Sequence, residues 1–425
     1  MNLKRSFVLF VSLLFLNLLS AEGKVLAIED AVRLAKENNI SVKKAENDLD
    51  SLAVQNKYSW NSVSPAAKLN GNFEDDIEND STAFSLSGAV NLSLKTNLYS
   101  EIKGARLNYE KGLLTYSEAV RQIELSVRKK FYNLIYQKEN LVLQNRSLET
   151  SRAQYLNNEE KFKNGKISEL DAFTSRVNYE SKKPVVESAE INFQNDLASF
   201  KQLLGIPQET EIALDGSLDD FLNLKEISFG LLPKVDEPAP DVKSAEYDVE
   251  IAKNSLLNLR FSAYAPVITG SYSYGKSKKS MQDDWMTINQ LSVGVSVPLD
   301  GILPWSSSAV EIKKQKNALD TAEKVLEDAK TTVAVQTESY IRKINQAVKQ
   351  LDSLKSTEKL AEQTYKMTLA AYNYGKTDFL SLQNANDSVL SAGVNLKSQA
   401  YTLISTILDL ESVLGLEFGT LETKK

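Results

Sequence analysis

The sequence predicts a mostly α-helical protein with a small membrane β-barrel part, built as a duplicated unit of long coiled-coil helical hairpins plus four strands per chain. Three observations predict it. The chain repeats itself at an offset of about 210 residues. Its longest segments carry an apolar ladder of period seven, and its strand-like segments alternate apolar with small polar residues.

The repeat comes first. Residues 155–206 align with 365–416 without a gap: Tyr155 meets Tyr365, Phe162 meets Tyr372, Gly165-Lys166 meets Gly375-Lys376, and Leu204-Gly205 meets Leu414-Gly415. Earlier segments match at slightly smaller offsets, SVKKAE at 41–46 with DVKSAE at 241–246 and LSGAVNLSL at 86–94 with LSVGVSVPL at 291–299. This divides the chain into a first repeat over 22–215, a linker over 216–237, and a second repeat over 238–425. Pro233, Pro238 and Pro240 mark the linker region as irregular.

Residues 113–164 and 306–374 contain neither Gly nor Pro, and as helices each would run roughly 80–100 Å. The first ladder passes through Leu113, Val120, Val127, Leu134, Leu141, Leu148, Tyr155 and Phe162. The second passes through Ile312, Leu319, Leu326, Val333, Tyr340, Ala347, Leu354 and Ala361. A spacing of seven keeps one seam toward a neighbour and predicts left-handed coiled-coil packing. Shorter return helices carry their own ladders, Ala172 to Phe200 and Leu382 to Leu410, with Pro184 expected to bend the first. The turns fall at Asn164-Gly165-Lys166 and Tyr374-Gly375-Lys376, where Gly can end a helix in the left-handed conformation. Taken alone, these helices fit an exported soluble coiled-coil scaffold or adhesin as well as a membrane protein.

The strands separate the two. They are expected over about 64–74, 83–96, 265–275 and 286–300. Phe84, Leu86, Gly88, Val90, Leu92 and Leu94 alternate with Ser85, Ser87, Ala89, Asn91 and Ser93, and Leu291, Val293 and Val295 alternate with Ser292, Gly294 and Ser296. One apolar and one small polar face is the pattern of a membrane barrel strand. Trp60, Tyr99, Tyr264 and Trp305 lie near the strand–helix junctions; Phe73, Phe84, Tyr274 and Trp285 flank the two loops. Aromatic rings favour the two membrane interfaces. Membrane barrels have at least about eight strands and tolerate no open edge in lipid. The chain must therefore oligomerise, and sequence physics leaves two, three or four copies open.

Composition sets the remaining bounds. Lys4 and Arg5, an apolar run over 6–19 and small residues at Ser20-Ala21 predict a signal peptide over 1–21. The formal charge is −6, or −8 once Lys4 and Arg5 leave with the signal, so no nucleic-acid partner is expected. Neither Cys nor His is present. Thiol nucleophiles, disulfides, imidazole bases and the commonest transition-metal ligands are excluded. Neither an enzyme, a metal site nor a cofactor is expected. The paired acids Asp75-Asp76 and Asp283-Asp284 read as solvated loop residues.

The order of elements and the duplication resemble the TolC-like outer-membrane efflux family. The opening segment LAIEDAVRLAKENN at 26–39, Pro65 and Pro266 before each half's first strand, and the paired tyrosine–glycine tips are similar to that family. The resemblance implies a homotrimer whose twelve-stranded β-barrel in the outer membrane continues into a periplasmic α-helical tunnel. It implies a passive exit duct for efflux or type I secretion, with a periplasmic adaptor and an inner-membrane transporter as partners. It places adaptor contacts at the tips around Gly165 and Gly375. It also implies a gate there, in which Asp171 links to Tyr372; the residues alone equally allow Asp171 to favour its helix dipole and Tyr372 to pack in the ladder. Where the family carries aspartates six and nine residues after the second tip glycine, this chain has Ser381 and Asn384, with Asp378 and Asp387 nearby but out of register.

Overall fold

The computed structural model describes residues 24–76, 81–222, 238–278 and 283–421. The expected signal peptide, most of the expected linker with Pro233, and residues 77–80 and 279–282 of the two strand loops lie outside the described residues. In order, the elements are β1 (Lys24–Leu26), α1 (Ile28–Asn38), α2 (Ile40–Lys57), β2 (Ala66–Asp76), β3 (Ser81–Lys95), α3 (Leu98–Lys163), α4 (Glu169–Leu204), β4 (Ile212–Leu214) and α5 (Asp219–Leu222). Then come α6 (Pro240–Tyr264), β5 (Val267–Lys278), β6 (Met286–Ser296), α7 (Ser307–Asn373) and α8 (Phe379–Leu414).

Chain contacts define two compact units, and neither is a sequence repeat. Among the described residues the first takes 24–43, 120–222 and 336–421; the second takes 44–76, 81–119, 238–278 and 283–335. Each unit therefore combines matching pieces of both halves.

Helices α3 and α7 contain 66 and 67 residues, about 100 Å each at 1.5 Å per residue. Helix α3 starts at Leu98, well before the glycine-free stretch. Its Gly104 and Gly112 sit at close approaches: a Cβ on Gly104 would lie 2.9 Å from Asn254 Nδ2, and one on Gly112 2.5 Å from Leu52. Glycine is tolerated inside this helix because neighbouring helices come too near for a side chain. Asn254 also donates to the Ser100 carbonyl at 2.8 Å, and Asn97 to Asn258 Oδ1 at 2.8 Å, tying α3 to α6 in the second unit. Pro240 opens α6 at its first position, where a missing N–H is harmless.

The first unit holds the main apolar core. Val127, Phe131, Leu134 and Ile135 of α3, Phe200 and Leu204 of α4, Ile344 and Leu351 of α7, and Leu403, Ile404 and Ile407 of α8 are all buried there. A short parallel pair unseen in the sequence, β1 with β4, matches Leu26 to Leu214 across its end. Charged groups brace the core's margin. Arg128 donates to both Glu29 oxygens at 3.0 and 3.1 Å and to Glu124 at 2.9 Å; Lys36 reaches Glu124 at 2.6 Å. Burial raises the Glu124 carboxyl, but the bonds from Lys36 and Arg128 outweigh it and hold it below the ordinary value. The C-terminal residues fold back here too. The buried Glu411 carboxylate accepts from the N–H groups of Gly419 at 3.0 Å and Leu421 at 2.7 Å, and Arg121 stacks on the Phe418 ring.

The two repeats share a backbone device at equivalent positions. Gly165, Gly205, Gly375 and Gly415 all have φ between 68° and 72°. Each is followed by the same pair of bonds; at the first, Gly165 N–H donates to Phe162 O and Lys166 N–H to Lys161 O. This is the Schellman ending, and it favours glycine because the left-handed region strains a Cβ.

Two predictions follow from these contacts. A Cβ at Gly375 meets nothing within 4 Å, whereas one at Gly205 would fall 2.7 Å from the Asn38 carbonyl. Gly375→Ala should cost about the left-handed penalty alone, roughly 1–2 kcal/mol, and Gly205→Ala distinctly more, read as thermal midpoints in detergent. Because the Glu124 carboxyl is depressed in the folded state, its contribution is present above its unfolded pKa and fades as pH falls through the lower folded value. The gap in thermal midpoint between wild type and Glu124→Gln should therefore be widest near neutrality and shrink below about pH 4.

Candidate channel wall and hairpin tips

The second unit carries one four-stranded antiparallel sheet, ordered β2-β3-β5-β6. The two repeats meet in its centre, where β3 pairs with β5 from Phe84 opposite Lys278 to Lys95 opposite Val267. The register sorts side chains into two faces. One level reads Val90, Tyr272, Leu291; the next toward the helices reads Leu92, Gly270, Val293; the next Leu94, Ile268, Val295. The opposite face reads Asn91, Ser271, Ser292 and Asn70, Ser87, Gly275. Ser85, Ser87, Ser292 and Ser296 all fall on this second face, and Ser271 and Ser292 share a 2.7 Å hydroxyl bond there.

The apolar face is bare. Leu69, Leu291 and Val293 are 77%, 75% and 74% exposed. From the Leu94–Ile268–Val295 level to the Phe73–Phe84 level is five steps of two residues. At about 3.3 Å per residue and a tilt near 40°, that is a band about 25 Å tall, the height of the lipid-facing belt of a membrane barrel. All eight sequence-predicted interface aromatics are exposed. Phe73, Phe84, Tyr274 and Trp285 collect toward the loop end, with Phe84 and Trp285 edge to face at 5.6 Å. Trp60, Tyr99, Tyr264 and Trp305 lie at the strand–helix junctions, where the Tyr264 hydroxyl donates to Gly301 O at 2.9 Å. Strand β6 stops at Ser296, short of residue 300, because Pro298 has no N–H for a ladder. The outer strands β2 and β6 each present an unpaired edge.

The hairpin tips belong to the first unit. Asn164, Gly165 and Lys166 turn α3 into α4; Tyr374, Gly375 and Lys376 turn α7 into α8, with Tyr374 81% exposed. Each return helix starts with a side-chain cap. Ser168 Oγ accepts from Asp171 N–H at 3.1 Å and donates to Asp171 Oδ2 at 2.7 Å. In the second repeat the residue types are exchanged: Asp378 is the cap and accepts from Ser381 N–H at 2.7 Å. The Ser381 hydroxyl and N–H hold the Asp378 carboxyl below its ordinary value. The carboxylate absent at Ser381 thus stands three residues earlier. Asp387 is engaged with Lys182 at 2.8 Å, and Asn384 is exposed.

Asp171 and Tyr372 are not hydrogen-bonded to each other. The Tyr372 hydroxyl donates to Asn158 Oδ1 at 2.7 Å, and its ring lies under Lys161 and beside the buried Phe379. Burial pushes the Tyr372 phenol above its ordinary value, and the Asp171 charge adds to that.

Asn158 belongs to a feature that the sequence pattern concealed. On the tip side of α3 the buried positions are Ser147, Ser151, Gln154 and Asn158, at heptad spacing but polar. The apolar ladder runs through Leu148 and Tyr155, one residue away. Lys182 Nζ bonds Ser147 and Asp387, both at 2.8 Å, while Ser151 Oγ, Gln154 Oε1 and Asn158 Nδ2 are buried without a partner. A seam of polar atoms incompletely satisfied by protein holds its helices less firmly than Val127, Phe131 and Leu134 do nearer the core.

The architecture joins a sheet with one bare apolar face to duplicated helical hairpins. The profile of the outer membrane efflux protein family matches residues 231–416. The outer membrane protein TolC of Vibrio cholerae is 19% identical over 305 residues, covering 71% of this chain and 69% of that protein. The CmeC outer membrane channel of Campylobacter jejuni superposes with a TM-score of 0.78 at 17% identity, over 91% of this chain and 85% of that one. The MtrE outer membrane channel of Neisseria gonorrhoeae, solved in an open state, gives 0.68 at 17% identity, over 92% and 89%. The second half of the chain thus matches the outer membrane efflux protein family, and the chain shares its fold with these outer membrane channels.

The seam makes a thermodynamic prediction. Asn158→Leu leaves the Tyr372 hydroxyl without its acceptor and should cost about 1–3 kcal/mol, whereas adding Tyr372→Phe replaces both partners by apolar groups and should recover most of it. Thermal midpoints of the two single variants and the double variant decide this; simple addition of the two losses would contradict a coupled pair.

Proposed function

We propose that three copies of this chain form an exit duct in the outer membrane. Four strands from each copy close a twelve-stranded barrel, and the long helices continue it as a tunnel in the periplasm. One observation carries this reading: the four-stranded sheet exposes a whole apolar face and two unpaired edges. In lipid such a face is at home, but such edges must be paired. Antiparallel order throughout lets β6 of one copy meet β2 of the next, and rotational symmetry closes the ring.

The chain performs no chemistry in this reading. Among the described residues no cluster of three or more carboxylates, His or Cys could hold a metal ion. The small polar face lines a water-filled path, and energy comes from an inner-membrane transporter acting through a periplasmic adaptor that meets the exposed tips around Gly165 and Gly375. Opening is a change between two packings of the hairpins. An adaptor can drive it only by as much as it prefers the open packing. The polar seam from Ser147 to Asn158 keeps that difference small, because water can replace the bonds the separating helices give up. Asp171, within electrostatic reach of Tyr372, contributes to the closed packing.

Purified protein should run as a heat-sensitive oligomer of three chains and conduct ions in planar bilayers, with Asp171→Ala raising single-channel conductance. A soluble monomer without conductance would remove the duct; an unchanged conductance in the variant would remove only Asp171 from its gate.

A further inference from the structure

Resting on the outer-membrane reading, we propose that the loop end of the apolar sheet face binds an anionic, phosphate-bearing membrane lipid, its chain in a groove over Gly88 and its phosphate on Lys276 and Lys278. The apolar face is interrupted near its loop end by two cations. The register places Lys276 between Leu86 and Thr287 and Lys278 opposite Phe84, both on the face that otherwise points at hydrocarbon. Lys276 lies one level inside the Phe73–Phe84 girdle, so it stands at the depth of headgroups rather than in the surrounding water.

No ion pair joins Lys276 or Lys278 to a carboxylate among the described residues. The Lys278 ammonium instead lies 5.3 Å from the centre of the Trp285 ring, which fixes it on the lipid face. Thr287 adds a neutral hydroxyl donor beside Lys276, and the Trp285 indole lies beside Lys278.

Directly beneath is a groove of about 550 Å3, within the roughly 300–1,000 Å3 of small-ligand sites. Leu69, Leu86 and Tyr274 wall it, and Gly88 leaves it open on their face. An apolar trough ending under two lysine ammonium groups matches one class of molecule: a hydrocarbon chain with a phosphate at its end. A neutral lipid would fill the trough and bring no net charge to the lysines.

The test uses the full-length oligomer in nanodiscs made from equal parts phosphatidylglycerol and phosphatidylcholine with identical chains, followed by native mass spectrometry of the lipids retained. The wild type should retain phosphatidylglycerol in excess, and each lysine near the surface should account for about a fivefold preference. The double variant Lys276→Gln, Lys278→Gln should lose the preference while still running as the oligomer, and Lys276→Arg, Lys278→Arg should keep it. Gly88→Leu, which fills the groove, should lower retention of both lipids. Equal retention of the two lipids by a wild type that still conducts, or a preference surviving both glutamines, would overturn the lipid site and leave the duct intact. Failure to conduct or to enter nanodiscs would instead strike at the duct.

Discussion

A peptide backbone surrounded by hydrocarbon has no water to bond, so every N–H and C=O must find its partner within protein. The sheet formed by β2, β3, β5 and β6 meets that requirement in its interior and fails at its two outer edges. Much else in the chain answers to this. Two strands per half would be a bare hairpin; the pairing of β3 with β5 makes one sheet of the two halves and leaves the edges at Ala66–Asp76 and Met286–Ser296. Duplication thus gives each copy a four-stranded segment of wall in place of a two-stranded one.

The same requirement does not bind the helices, which satisfy their own backbones, and there side-chain chemistry sets the mechanics. Near the core the buried positions of α3 are Val127, Phe131 and Leu134, which lose contact with everything when helices part. Toward the tip they are Ser147, Ser151, Gln154 and Asn158, several with orphaned atoms. Cohesion therefore declines along a single helix with no break in its backbone. In the proposed duct this gradient lets the tip end change packing while the core end holds. Lys182, bonded to Ser147 and Asp387, is the strongest polar link in the looser part.

Charge at the tips follows the helix starts more than it follows any ring. A carboxylate stands in the first turn of each return helix, at Asp171 in one repeat and at the capping Asp378 in the other. Either position answers the positive end of the helix. The exchange of residue types between Ser168–Asp171 and Asp378–Ser381 explains why Ser381 stands where a carboxylate was expected, without any loss of capping.

The sequence by itself determined the periodic features: the repeat offset, the seven-residue ladders, the alternating strands, the aromatic ends and the glycine turns. Each is a local rule in which one residue's neighbours along the chain fix its environment, which is why Gly165 and Gly375 could be read as helix endings before any contact was known. Tertiary structure alone decided what depends on pairs distant in sequence. It placed Asn158, 214 residues away, as the acceptor for the Tyr372 hydroxyl. It gathered the matching pieces of both halves into two interleaved units. It showed that Gly104 and Gly112 lie inside a helix because other helices crowd them. It also set Lys276 and Lys278 on the lipid-facing side, since a strand's alternation says which residues share a face, and only the register across four strands says what surrounds them.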